Sequence, residues 1–143
     1  MSRALLDVNV LLALLDSDHV DHLHVHEWIE DGLSDGWSSC AITENGFVRI
    51  ISQPRYPSPI SPTRAIEILQ AAQNAGDHLF WPCNVSLLDP ECIDRRRLHG
   101  PKQVTDAYLL ALATAHGAAF VTFDQTLTLT TVPRAGEANL IVL

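Results

Sequence analysis

The chain has 143 residues, 47% of them apolar and 18% charged, with a formal net charge of −8. This size suits residues 1–143 as a single domain around one core, and the composition excludes a disordered or fibrous chain. The acidic sum argues against an ordinary nucleic-acid-binding surface, but the charges are unevenly placed: seven of seventeen acids lie between Asp16 and Asp35, while Arg95, Arg96, Arg97 and Lys102 put four of nine cations into eight residues.

The opening MSRALLDVNVLLALLDSD imitates a secretion signal, yet Asp7 and Asn9 interrupt its apolar run and no cleavage pattern follows. It reads as mature structure: RALL (3–6) as a buried strand, then NVLLALL (9–15) as a helix too apolar to show a face. A second helix is expected over about 20–33, ended by the Gly32 to Gly36 stretch. WSSC is a short strand, AITENGFVRII a helix, and QPRYPSPISP a proline-rich connection. Ser61-Pro62 opens a helix that runs to Gly76, and HLFW gives another strand. After the basic loop, Thr105 is expected to cap a buried helix over 106–116 that Gly117 terminates. AAFVTF and NLIVL complete the strands.

Strands alternating with helices predict an α/β domain with a mostly parallel sheet, and continuously apolar strands predict helices over both faces. In such sheets ligands bind beyond the carboxyl ends of the strands. Four acids fall near that edge. Asp7 follows RALL, Glu44 follows WSSC, Asp106 opens the buried helix, and Asp124 ends AAFVTF. Each has a local explanation, as a helix cap, a first-turn charge or a side-chain turn. Together they need another one, because two carboxylates 4 Å apart repel by about 4 kcal/mol at an effective dielectric of 20. A cation resolves the repulsion, and oxygen ligands without His or Cys suit Mg²⁺ or Mn²⁺.

DVNVLLALLD, AITENGFVRI, TDAYLLALA and FVTFD resemble the four acidic motifs of the PIN-domain family, in particular VapC-type toxins of bacterial toxin-antitoxin pairs, in family order across almost the whole chain. The resemblance implies a PIN-like three-layer α/β/α domain and a Mg²⁺- or Mn²⁺-dependent endoribonuclease. Asp7, Glu44, Asp106 and Asp124 would form its acidic metal site. Asn9, Thr43 and Thr105 match polar positions beside the acids and would support it from behind. The implied partners are an RNA substrate such as tRNA or rRNA, a cognate VapB-type antitoxin and a second copy of the chain in a homodimer. One departure is Gln125, which stands where many relatives carry a basic residue. It bears on a phosphate contact there and not on the metal site.

A receiver-like signalling domain that binds Mg²⁺ without nuclease activity is the alternative from another class, but it needs a lysine near the acids, and the only one is Lys102 in the loop. The basic loop leads directly to Asp106, so Arg95, Arg96, Arg97 and Lys102 are candidate RNA contacts. His22 and His26 share a helical spacing but lack companions for zinc, and read as a solvated face. Trp28, Trp37, Trp81, Phe47 and Tyr108 read as core. Cys40, Cys83 and Cys92 form no metal or redox spacing. They suggest buried thiols in a reducing cytoplasm, and no run approaches the ~18 apolar residues of a membrane span.

Overall fold

The computed structural model describes residues 3–33 and 35–143. Met1 and Ser2 of the signal-like start, and Ser34 of the Gly32 to Gly36 stretch, lie outside that range. In chain order the elements are β1 (Ala4–Leu6), α1 (Val8–Leu15), α2 (His22–Gly32), β2 (Trp37–Cys40), α3 (Ala41–Ile51), α4 (Pro62–Asn74), β3 (His78–Trp81), α5 (Val104–Ala115), β4 (Ala119–Thr122) and β5 (Leu140–Val142). All pairings are parallel, in the order β3-β2-β1-β4-β5.

Side-chain alternation along the strands builds a core on each face. Leu5 and Phe120 join the buried α5 residues Leu109, Leu110 and Leu112, whereas Ala4, Leu6 and Val121 join Val10 and Leu11 of α1, Val25 of α2, Phe47 of α3 and Leu69 of α4. One helix thus covers one face and four cover the other, the three-layer arrangement expected from the motifs. Of the aromatic residues assigned to the core, Phe47, Trp37, Trp81 and Tyr108 are buried and Trp28 is half-buried. Gly46 lets α3 approach α1, since a Cβ there would stand 2.6 Å from Val8 Cγ2.

Three sequence expectations need correction. Thr105 does not cap α5: a 3-10 turn over Pro101–Gln103 runs directly into the helix, so helical backbone begins before Thr105 and leaves that residue exposed. Not every strand is covered, because β3 lies at the sheet edge with Leu79 51% and Phe80 53% exposed. Nor are all thiols buried: Cys40 is, Cys92 is half-buried, and Cys83 is exposed in the segment after β3.

The connection out of β1 leads to β2 on one side, while β4 packs on the other. The carboxyl end of β1 is therefore the point where the strand order reverses, and Asp7 stands there with its backbone N–H bonded to Val121 O at 2.9 Å. A crevice at this point is where open parallel sheets receive ligands.

Candidate active site

Asp7 is only 6% exposed, and both its oxygens are engaged. Oδ1 accepts the Val8 N–H at 2.8 Å, which caps α1, and Oδ2 accepts the Thr122 hydroxyl at 2.6 Å. Burial raises its pKa, Thr122 and Val8 pull it back, and the charge of Asp124 raises it again. The capping explanation for Asp7 is therefore correct as local structure, and incomplete.

Asp124, just past β4, receives the N–H of Thr126 at 2.8 Å and its hydroxyl at 2.7 Å. Its own N–H donates to Thr122 Oγ1 at 3.1 Å. Those Thr126 bonds, with a further bond from Asp106, hold the Asp124 carboxyl below its ordinary pKa. Asp106 reaches the same place from the first turn of α5. Burial, then the Asp7 charge, then the shared hydrogen bond and charge of Asp124 push its pKa up to about 7. Asp106 and Asp124 thus stand close enough to shift each other's pKa, beside the third carboxylate of Asp7.

Glu44 is placed differently. From the first turn of α3 it turns to β2 and α4, where its Oε2 accepts Ser39 Oγ at 2.6 Å and Gln73 Nε2 at 2.7 Å. Ser39 Oγ also faces His78 Nε2 at 2.8 Å, and burial lowers the His78 pKa. Oε1 of Glu44 has no hydrogen-bond partner among the described residues. The structure therefore brings three of the four candidate acids together and holds the fourth in its own pocket.

The residues expected to support the acids divide in the same way. Thr43 is buried, but its hydroxyl accepts the Cys40 N–H at 3.0 Å and donates to Cys40 O at 3.1 Å, closing the start of α3 instead of touching an acid. Thr105 makes no side-chain hydrogen bond among the described residues. Asn9, two residues past Asp7, leaves its buried Oδ1 without a partner. Thr122 and Thr126 take the supporting role instead. Sequence reading passed over them, although each stands two residues from Asp124 in T-F-D-Q-T, a spacing at which a hydroxyl reaches a neighbouring turn.

Among the described residues, no three His, Cys, Asp or Glu side chains stand ready-made around a metal position. The donor set nevertheless fits a hard cation. Burial first, then the charges of Asp7 and Asp124, raise the Asp106 pKa to about 7, and a divalent ion among the three carboxylates would offset that repulsion. Two residues past Asp7, the buried Asn9 Oδ1, without a hydrogen-bond partner among the described residues, is a neutral oxygen of the kind such ions take.

In the basic loop, Arg95–Arg97 form a 3-10 turn. Asp94 pairs with Arg96 at 3.2 Å and Arg97 at 3.5 Å, and the Arg96 hydrogen bond keeps the Asp94 carboxyl below its ordinary pKa. Arg95 and Lys102 are exposed and have no ion pair among the described residues. His22 bonds the Ala13 carbonyl through a ring nitrogen at 2.8 Å and packs edge-on against His26 at 4.6 Å, a helix contact with no grouping for zinc among the described residues. No described helix is long and apolar enough to cross a membrane.

Comparison with known proteins agrees with the four motifs. The PIN domain profile matches residues 4–131. Over 141 residues the chain is 64% identical to "Ribonuclease VapC44" of Mycobacterium tuberculosis, covering 99% of each protein. It is 43% identical over 122 residues to "Ribonuclease VapC38" of the same organism, covering 85% of this chain and 84% of that one. Among solved structures, "Crystal structure of VapBC2 from Rickettsia felis bound to a DNA fragment from their promoter" superposes with a TM-score of 0.57 at 12% identity, over 99% of this chain and 97% of the other, a likeness of fold. With an acidic crevice at the strand-order reversal and near-full-length identity to VapC proteins, the chain belongs to the PIN-domain family, in its VapC-type branch.

Proposed function

We propose that the protein is a divalent-metal-dependent endoribonuclease that acts as the toxin of a type II VapBC pair. The observation that carries this reading is the convergence of Asp7, Asp106 and Asp124 at the carboxyl ends of β1 and β4, with the Asp106 pKa raised to about 7 by burial and by the other two acids. The ribonuclease names of the 64% and 43% identical relatives point the same way.

In this reading the three aspartates would hold Mg²⁺ or Mn²⁺, and Glu44 would complete the acidic site through Oε1, which has no hydrogen-bond partner among the described residues. Held there, such an ion would supply the means to activate a water and to offset charge developing on a phosphodiester. Thr122 orients Asp7, and Thr126 fixes Asp124. The rigid, buried α5 presents Asp106 at a helix N-terminus, where the dipole favours its anionic form. The substrate is an RNA such as tRNA or rRNA, met in the cytoplasm. A VapB-type antitoxin restrains the enzyme, and an antitoxin arginine set among these carboxylates would displace the cation. The active unit is a homodimer of single-domain chains. Membership of the PIN family leaves the receiver-like alternative without support.

The test is cleavage of total cellular RNA with Mg²⁺ or Mn²⁺ against EDTA, alongside Asp7→Ala. Discrete fragments that need both the metal and Asp7 are expected; fragments that survive EDTA, or that Asp7→Ala still makes, would reject the reading.

A further inference from the structure

A row of open hollows leads away from the acidic crevice along the basic loop. The first, about 400 Å³, is lined by His99, Lys102 and Thr126 among others, and Thr126 is the residue that anchors Asp124. The second, about 310 Å³, shares His99 with the first and adds Asp94, Arg96 and Arg97. The third, about 630 Å³, shares Asp94 and Arg96 with the second and is lined also by Pro90, Ile93, Pro133 and Arg95. Each is of a size that takes a small-molecule group.

The chemistry changes along the row. Between Asp94 and Lys102 four cations face one acid, in a chain whose net charge is −8. Asp94 holds Arg96 and Arg97 through exposed pairs of the kind worth little. A phosphate could therefore exchange with Asp94 at small cost. The far hollow combines apolar lining with the Arg95 guanidinium, which has no ion pair among the described residues, the two surfaces on which an unstacked base rests. A duplex keeps its bases stacked and cannot present one there.

We propose that this row is the substrate track: a single-stranded RNA flank leaves the scissile phosphate over Lys102, places phosphates on Arg96 and Arg97, and seats a base in the Pro90–Ile93–Pro133 hollow beside Arg95. The proposal rests on the endoribonuclease reading for its substrate. It adds which strand form is gripped and where, and it assigns the cations separate tasks.

The test measures binding without cleavage, by fluorescence anisotropy of a labelled single-stranded RNA of about 12 nucleotides, in EDTA over a salt series. The proteins are the full-length wild type, Arg96→Gln/Arg97→Gln and Arg95→Gln, with melting curves checked first. The arginine pair should lower the slope of log K against log salt by about 1.4, since each single-strand phosphate contact contributes about 0.7. Arg95→Gln should weaken binding several-fold and reduce the preference for single-stranded over duplex RNA. Wild-type slope and affinity in the folded variants would overturn the track, as would an equal loss on duplex RNA, or defects confined to binding of the antitoxin. Cleavage by the wild type with Mn²⁺ is run in parallel. Normal wild-type cleavage with unchanged variant binding removes the track alone; a wild type that binds with the expected slopes but never cleaves keeps the track and removes the nuclease reading.

Discussion

Two acidic places lie at the same edge of the sheet and are built in opposite ways. In the crevice beside β1 and β4, Asp7, Asp106 and Asp124 face one another, and Asp106 retains a proton to about pH 7. In the pocket between β2, α3 and α4, Glu44 accepts the Ser39 hydroxyl at 2.6 Å and the Gln73 amide at 2.7 Å. The first arrangement raises the pKa of Asp106 and Asp7, whereas the second surrounds its acid with hydrogen-bond donors. Fold stability accounts for an acid surrounded by donors, but not for three acids surrounding one another. On the proposed function the crevice is where metal binding overrides local stability, while Glu44 sits among its own donors.

Replacing Asp106 should separate the two places most sharply. Asp106→Asn removes a mutually repelling charge, so the metal-free protein should melt at or above the wild-type temperature at pH 8. Metal-dependent cleavage should fall by more than about 100-fold, beyond the 10–100-fold that loss of an outer partner costs. An active or unfolded variant would break the contrast. Next in size is Thr122→Val, which keeps the shape but withdraws the hydroxyl from buried Asp7 and from the Asp124 N–H. Cleavage should drop about 10–100-fold and stability by about 1–3 kcal/mol, read from initial rates and from urea melts. Ser39→Ala acts on the other pocket, where Glu44 keeps Gln73. A smaller loss of about 10-fold is expected, and a loss matching that of Asp106→Asn would mean that the two pockets are one.

The smallest effect concerns pH. The folded-state pKa of Asp106 is raised from 3.8 to about 7, and that of Asp7 is raised too. Between these values the folded chain binds more protons than the unfolded one, so metal-free stability should fall as pH climbs from 4 to 7. The lowered pKa of Asp124 works the other way, costing stability only as pH falls through the acid end. With Asp106 half-exposed, its contribution is on the order of 1 kcal/mol. Denaturant melts of wild type and Asp106→Asn at several pH values would show it as a slope between pH 4 and 7 that is steeper in the wild type.

The four motifs made the sheet, the helices and the family legible because each couples an apolar run to an acid at its end. AAFVTF followed by Asp124 could be little else than a buried strand delivering a charge to the sheet edge. The position of each acid along the chain was therefore readable, but the direction of its carboxylate was not. Glu44 turns toward Gln73, which lies 29 residues away on α4, a contact without any local signal. The expected cap at Thr105 failed because Pro101 starts a 3-10 turn that carries helical backbone past it. Thr122 was overlooked for the opposite reason: within an apolar strand a threonine resembles a β-branched core residue, and only the pairing of β1 with β4 shows that its hydroxyl meets Asp7.

The central claim is that the three aspartates repel one another for want of a cation, and isothermal titration of Mn²⁺ into wild type and Asp106→Asn at pH 8 tests it most directly. The account predicts stoichiometric binding with a rise in melting temperature for the wild type, and loss of both in the variant. Equal Mn²⁺ affinity in the two proteins, or none in either, would contradict it.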